Sequence, residues 1–152
     1  MKAMTICQPY TELILCGKKL VENRTWEPPR SILGQSLLLH AGKSRSWLEL
    51  DATGRFDVLY KIDLTEMQFG CLVGICELSA CASASNIRRG AIADLRYLSD
   101  HEHVEGPYCW VLTKVRRFAQ PLPYRGALGF FEVEIPSGKL QDLIANSRKV
   151  GG

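Results

Sequence analysis

Five apolar segments with the length and composition of β-strands recur along this 152-residue chain. They span residues 20–25, 36–40, 70–81, 108–118 and 128–135. Helical periodicity is confined to short segments, so the long helices that alternate with strands in a doubly wound α/β fold are lacking. The spacing of the later strands resembles that of hairpins. The pattern therefore predicts a mixed or antiparallel, barrel-like sheet.

Short helices are predicted between the strands. Pro9 suits the first turn of one helix, and Gly17 ends it. Ser44 is a candidate cap for a second helix. A third helix is predicted over residues 86–98, and the last over residues 139–145. The run 36–40 is too apolar for a half-exposed strand, which places it centrally in the sheet.

Length and composition indicate an ordinary globular protein. Residues 1–152 suffice for one domain with a single core, and 46% of them are hydrophobic and 23% charged. No apolar run approaches the ~20 residues of a membrane helix, and the N-terminus does not resemble a signal peptide. We therefore expect a cytoplasmic protein without a membrane partner. The net charge of +3 is compatible with contacts to a few phosphates.

The six cysteines do not form a recognisable framework. Most lie inside apolar strand-like stretches, which predicts free thiols rather than disulfides. No C-x-x-C pair occurs, and the spacing of Cys71, Cys76 and Cys81 alternates the faces of a strand, so we expect no zinc site. No cofactor is implied. His101 and His103 lie in a polar loop that we expect to be solvated.

Several motifs in this order resemble the ASCH domain, a branch of the PUA-like superfamily. The match spans roughly residues 3–135, leaving a short C-terminal helix and a flexible tail at 136–152. In the second half, it rests on glycine- and proline-containing strands. In the first half, the motifs are Gln8-Pro9-Tyr10, Gly17-x-Lys19, Glu22-x-Arg24-x-Trp26 and His40-Ala41-Gly42-Lys43.

The resemblance implies an α+β, mainly β fold: a small PUA-like β-barrel with short helices packed at its ends. It also implies a cleft that binds RNA, a nucleotide or a nucleoside. Some relatives are amidohydrolases acting on a modified cytidine nucleoside, and others are ribonucleases. The amidohydrolase pattern has a threonine nucleophile where this chain has Glu22, and glutamate is a poor acyl-transfer nucleophile. The resemblance therefore favours a binding module and leaves ribonuclease activity open.

Each candidate ligand-binding residue has a chemical role and a structural alternative. Glu22 and Arg24 share a strand face and form either a ligand clamp or an ion pair. Gln8 either reads a base edge or caps the helix, and His40 is either an acid–base partner or a core histidine. Trp26 is the stacking candidate. Lys19, Arg24 and Lys43 are the candidate phosphate contacts, and Glu22 joins Gln8 in reading the base.

Two other functional classes fit the sequence. A hydrolase would draw its catalytic groups from Lys19, Glu22 and Lys43. A protein-interaction module would use the segment 51–105 to bind a protein partner. Further basic residues form either an outer phosphate track or a solvated surface: Arg88, Arg89, Lys114, Arg116, Arg117 and Arg125.

Overall fold

A computed structural model describes residues 1–46 and 63–151. Its strands are β1 (Lys2–Ile6), β2 (Val21–Arg24), β3 (Gln35–Ala41), β4 (Cys71–Ser83), β5 (Tyr108–Pro123), β6 (Phe130–Glu132) and β7 (Arg148–Lys149). Its α-helices are α1 (Tyr10–Leu15), α2 (Ala84–Arg88) and α3 (Ser137–Ala145). Short 3-10 helices span Arg30–Ile32, Leu64–Glu66 and Ala93–Leu98. The helix expected after Ser44 and the first part of the segment 51–105 lie outside the described residues.

The described strands pair into a mixed sheet in the order β2-β5-β4-β3-β1-β6, with β7 on β5. β1 runs parallel to β3 and antiparallel to β6, and β2 and β7 each run antiparallel to β5. β3 lies between β4 and β1, as its uninterrupted apolar sequence predicts. The predicted class, α+β and mainly β with short helices, is confirmed.

The chain divides into two compact units, and each is assembled from separate segments. Unit one contains Met1–Lys18, Ser36–Cys76 and Lys114–Gly152, and unit two contains Lys19–Gln35 and Glu77–Thr113. Strands β3, β4 and β5 therefore contribute residues to both units.

Each unit has its own apolar cluster. In unit two, Val21 of β2 packs with Ile87 of α2 and with residues of the Ala93–Leu98 turn. In unit one, Leu38 of β3 and Leu72 of β4 belong to the cluster, and Leu140 of α3 packs against it. All six cysteines are free thiols. No helix in the described part of the chain is long and apolar enough to cross a bilayer.

Three predicted elements differ from the structure, and β1 lies outside every predicted strand. The helix over 86–98 is wrong: α2 ends at Arg88, and Gly90 adopts φ +66° before a 3-10 segment begins. The last strand, predicted over 128–135, is shorter in the structure, where β6 spans only Phe130–Glu132. The flexible tail is also wrong in part, because β7 pairs with β5. Arg116 fixes this pairing by donating hydrogen bonds to the hydroxyl and carbonyl oxygens of Ser147, at 2.7 and 2.8 Å.

Candidate functional site

Lys19 and Glu22 lie along the outer edge of β2, in unit two. The carbonyl of Leu20 accepts a hydrogen bond from Leu112 of β5, so strand alternation turns the carbonyl of Val21 away from β5. The ammonium of Lys19, only 3% exposed, donates to that carbonyl. Glu22 Oε1 accepts from the neighbouring Asn23 N–H at 3.1 Å. Both side chains therefore satisfy backbone groups of an edge strand as well as contacting each other.

Glu22 is placed between two cations. Its Oε1 lies 3.9 Å from Lys19 Nζ, and its Oε2 lies 3.6 Å from a terminal nitrogen of Arg24. The side chain of Arg24 is 28% exposed, whereas that of Glu22 is 11% exposed. The same-face pair predicted from the Glu-x-Arg spacing is therefore present, with the guanidinium as its more accessible partner.

Buried Trp110 contacts both Trp26 and Arg24. Trp110 is 1% exposed and donates its indole N–H to the Trp26 carbonyl at 3.1 Å. The guanidinium carbon of Arg24 lies 5.6 Å from a Trp110 ring centroid, within cation–π range. Trp26 meets Trp110 edge to face at 4.8 Å and is 40% exposed. Arg24 and Trp26 thus present a cation and an indole side by side over buried Trp110. We call these two side chains the Arg24–Trp26 surface.

The loop with His101 and His103 is more buried than predicted. His101 Nε2 accepts the Leu20 N–H at 3.1 Å, and burial, reinforced by Lys19, lowers the His101 pKa. His103 is buried. Asn23 holds the loop, since its amide donates to the His103 carbonyl and accepts from the Gly106 N–H. Sequence reasoning missed Asn23, because its partners lie about 80 positions away.

His40, in unit one, is buried and hydrogen-bonded through both ring nitrogens. Nε2 lies 2.7 Å from the Tyr124 carbonyl, which only accepts, so Nε2 carries the proton. Nδ1 then accepts from the Thr5 hydroxyl at 3.1 Å. A Cβ on Gly126 would come within 2.6 Å of His40 Cε1, so the ring also requires glycine there. Tyr124 and Gly126 thus pack on His40, and these contacts match the core-histidine alternative.

Stability is expected to fall on acidification because of His40. Burial lowers the pKa of its imidazole, so between the folded and unfolded pKa values the unfolded chain binds the proton more readily. The free energy of unfolding should therefore decrease as the pH falls from about 7 to 5. Urea unfolding at several pH values should show that the free energy of unfolding depends less on pH in His40→Gln than in the wild type. An NMR titration of His40 with a midpoint at or above about 6.5 would contradict this expectation.

Lys43 belongs to a second surface, which lies in unit one. Its stem crosses Gly70, where an added Cβ would lie 2.8 Å from Lys43 Cε. An open groove of about 810 Å³ is lined by Lys43, Arg125, Phe69 and Tyr124, among others. Among the described residues, no carboxylate lies within 4.0 Å of either cation. We call this the Lys43 groove.

Gln8 lies in the wall of a different cavity. It is fully buried, and its side-chain oxygen accepts the Glu12 N–H at 2.9 Å, as the helix-cap alternative requires. Its amide nitrogen donates to the Gln68 carbonyl at 2.9 Å. The cavity has a volume of about 390 Å³, and a pair that the sequence did not reveal, Glu12 and Arg117, also lines it.

The candidate residues fall into three groups. Lys19, Glu22, Arg24 and Trp26 gather in unit two. His40 and Lys43 both lie in unit one, where Tyr124 contacts His40 and also lines the Lys43 groove. Gln8 lies at the cavity of Glu12 and Arg117 in the same unit.

Comparison with known proteins identifies the fold and the family of the chain. The crystal structure of ASCH from Zymomonas mobilis is 12% identical, covers 98% of this chain and 96% of its own, and superposes with a TM-score of 0.50. Serine-to-alanine and tyrosine-to-phenylalanine variants of that protein, also at 12% identity, give TM-scores of 0.52 and 0.50. Each covers 97% of this chain, and 96% and 98% of its own, respectively. No curated protein matches the sequence.

These likenesses confirm the fold. The family model described as the ASCH domain matches residues 4–122, which is most of the chain. The protein therefore belongs to the ASCH domain family.

Proposed function

We propose that this protein binds RNA or nucleotides, and that the Arg24–Trp26 surface is its principal contact. The observation that supports the proposal most is the placement of a half-buried guanidinium beside an exposed indole, both held by buried Trp110. A nucleotide offers the two matching groups, a phosphate and a base. The family fold, which is generally associated with RNA binding, supports the same ligand class.

Each side chain has a distinct part in the proposed complex. Arg24, whose side chain is 28% exposed, donates to phosphate oxygens. A base stacks on Trp26, and such stacking contributes about 1–3 kcal/mol per base. Glu22 accepts from base amino groups, and Lys19 fixes the position of the Glu22 carboxylate. Because Trp110 is part of the core, stacking requires little rearrangement of the surface.

The Lys43 groove is a second proposed contact for the same class of ligand. Lys43 and Arg125 bring two cations to one concavity. The guanidinium carbon of Arg45 lies 3.9 Å from the centroid of the Phe69 ring, so a third cation is close by. Cations with no nearby carboxylate bind phosphates by releasing counterions, and this contribution weakens as salt rises.

Substitution of the principal contact should reduce affinity sharply. We expect Arg24→Ala and Trp26→Ala each to weaken binding of a short single-stranded RNA about tenfold or more, because each removes a charge contact or a stacking contact. Fluorescence anisotropy at fixed salt measures the change. Arg24→Ala should also reduce the slope of affinity against salt concentration by about one ion.

Matched controls are available in the same unit. Arg30 is an exposed arginine and Tyr97 an exposed aromatic residue, and neither belongs to the proposed surface. Arg30→Ala and Tyr97→Ala should leave affinity within about twofold, since exposed residues outside the contact contribute little. Equal losses in the controls and the test variants would refute the assignment.

The buried contact between Lys19 and Glu22 favours a hydrolase as the second candidate. A carboxylate 3.9 Å from an ammonium is an arrangement suited to general base catalysis with charge stabilisation. Turnover of single-stranded RNA or of an acylated cytidine by the wild type, lost in Lys19→Ala, would favour this activity. Binding without turnover would favour the binding module.

A further inference from the structure

The cavity beside α1 has two arginines on one wall. In the antiparallel pairing of β5 with β7, Arg117 lies directly opposite Arg148. Directly opposite residues of such a pair project from the same face, and both side chains line the cavity of about 390 Å³. Like charges in this position repel each other unless an anion lies nearby.

Only one of these arginines has an anionic partner among the described residues. Both terminal nitrogens of Arg117 bind the carboxylate of Glu12, a buried side chain of α1. No described carboxylate lies within 4.0 Å of Arg148. The other carboxylate of the lining, Glu66, is exposed and beyond that distance from both arginines. Among the described residues, the wall therefore presents one cation, Arg148, without a carboxylate within 4.0 Å.

The remaining lining residues can bind the uncharged polar part of a ligand. Asn146, at the end of α3, and Gln68 line the same cavity, and amide side chains both donate and accept hydrogen bonds. Val73 and Leu15 supply apolar surface. The volume lies within the range of small-molecule sites, about 300–1,000 Å³. Asn146 and Arg148 lie beyond residues 4–122, so these two lining residues are outside the part of the chain that matches the family, whereas Arg117 and Gln68 lie within it.

We propose that this cavity binds a small organic anion. The phosphate or carboxylate group of the anion pairs with Arg148, and the rest of the anion forms hydrogen bonds with Asn146 and Gln68. Glu12 keeps Arg117 neutralised and so restricts the anion to the Arg148 side of the wall. The inference is independent of RNA binding at the Arg24–Trp26 surface.

The test uses the neighbouring residue of β7 as its control. Lys149 lies opposite Arg116 and does not line the cavity, so Lys149→Ala removes the same charge from the adjacent position of β7. Isothermal titration calorimetry at constant ionic strength would use uridine monophosphate, inorganic phosphate and glutarate as anions, with uridine as the uncharged comparison. An Arg24→Ala/Trp26→Ala/Lys43→Ala/Arg125→Ala background removes the principal proposed nucleotide contact and both cations that line the Lys43 groove.

We expect at least one anion to bind more tightly than uridine. Arg148→Ala should weaken that binding about tenfold or more, and Lys149→Ala by less than about twofold. Arg148→Lys, which keeps the charge but not the planar fork, should lie between them. Preference for phosphate or for glutarate identifies the anionic group. The proposal is overturned if no anion binds, or if Lys149→Ala reduces affinity as much as Arg148→Ala.

Discussion

Replacement of Arg117 by alanine is expected to lower the free energy of unfolding by about 3–5 kcal/mol, because it leaves a buried carboxylate without its partner. Glu12 is 3% exposed and Arg117 13%, and both terminal guanidinium nitrogens contact the carboxylate. Water therefore cannot replace the lost hydrogen bonds without opening the packing around α1. Urea unfolding of Arg117→Ala and wild type at pH 7 measures the difference.

Two further variants separate the ion pair from a general effect of losing arginine. Arg125→Ala removes an exposed guanidinium of the same unit and should change stability by less than about 0.5 kcal/mol. Glu12→Leu combined with Arg117→Met should recover much of the loss, since an apolar pair of similar volume has no unpaired charge to bury. Similar losses in Arg117→Ala and Arg125→Ala would show that the pair contributes little.

Gly74→Ala is expected to lower the free energy of unfolding by about 1–3 kcal/mol or more, because the new methyl group has no room. A Cβ at this position of β4 would lie 2.5 Å from the carbonyl oxygen of Arg116 and 2.9 Å from Leu15 Cδ2. The first of these is a backbone atom, so a rotamer change cannot relieve the contact. Thermal and urea unfolding measure the effect.

The matched control is a glycine with free space around it. A Cβ on Gly138 of α3 would meet nothing within 4 Å. Gly138→Ala should leave stability unchanged or raise it by up to about 1 kcal/mol, because alanine restricts the unfolded chain. If the two substitutions have the same effect, backbone approach is not the reason for glycine at position 74.

Local sequence determined the first helix and the strands β2, β3, β4 and β5, but not β1, which lies between β3 and β6. The apolar run 36–40 has enough uniform hydrophobicity to specify a central strand by itself, and β3 occupies that position. Glycine and proline specify most turns, since their allowed backbone angles do not depend on distant contacts. The two-residue spacing also correctly places Glu22 and Arg24 on one face. The two-residue β7 carries too little pattern to be recognised, because its pairing with β5 defines it.

The partners of the polar side chains were decided by tertiary structure. From sequence alone, Gln8 and His40 each have two equally reasonable roles. The choice depends on the Gln68 carbonyl for one and on Thr5 and Tyr124 for the other, which lie 35 to 84 positions away. Periodicity and spacing describe only which face of its own element a residue occupies.

The sequence by itself therefore determined the family motifs, the mainly β class and the list of polar candidates. The three-dimensional structure decided how these candidates are grouped and which of them the fold itself uses. It also revealed the pair of Glu12 with Arg117 and the opposition of Arg117 to Arg148. The physical reason is that hydrogen bonds and ion pairs act over a few ångströms in space, whereas these partners lie 35 to 105 positions apart along the chain.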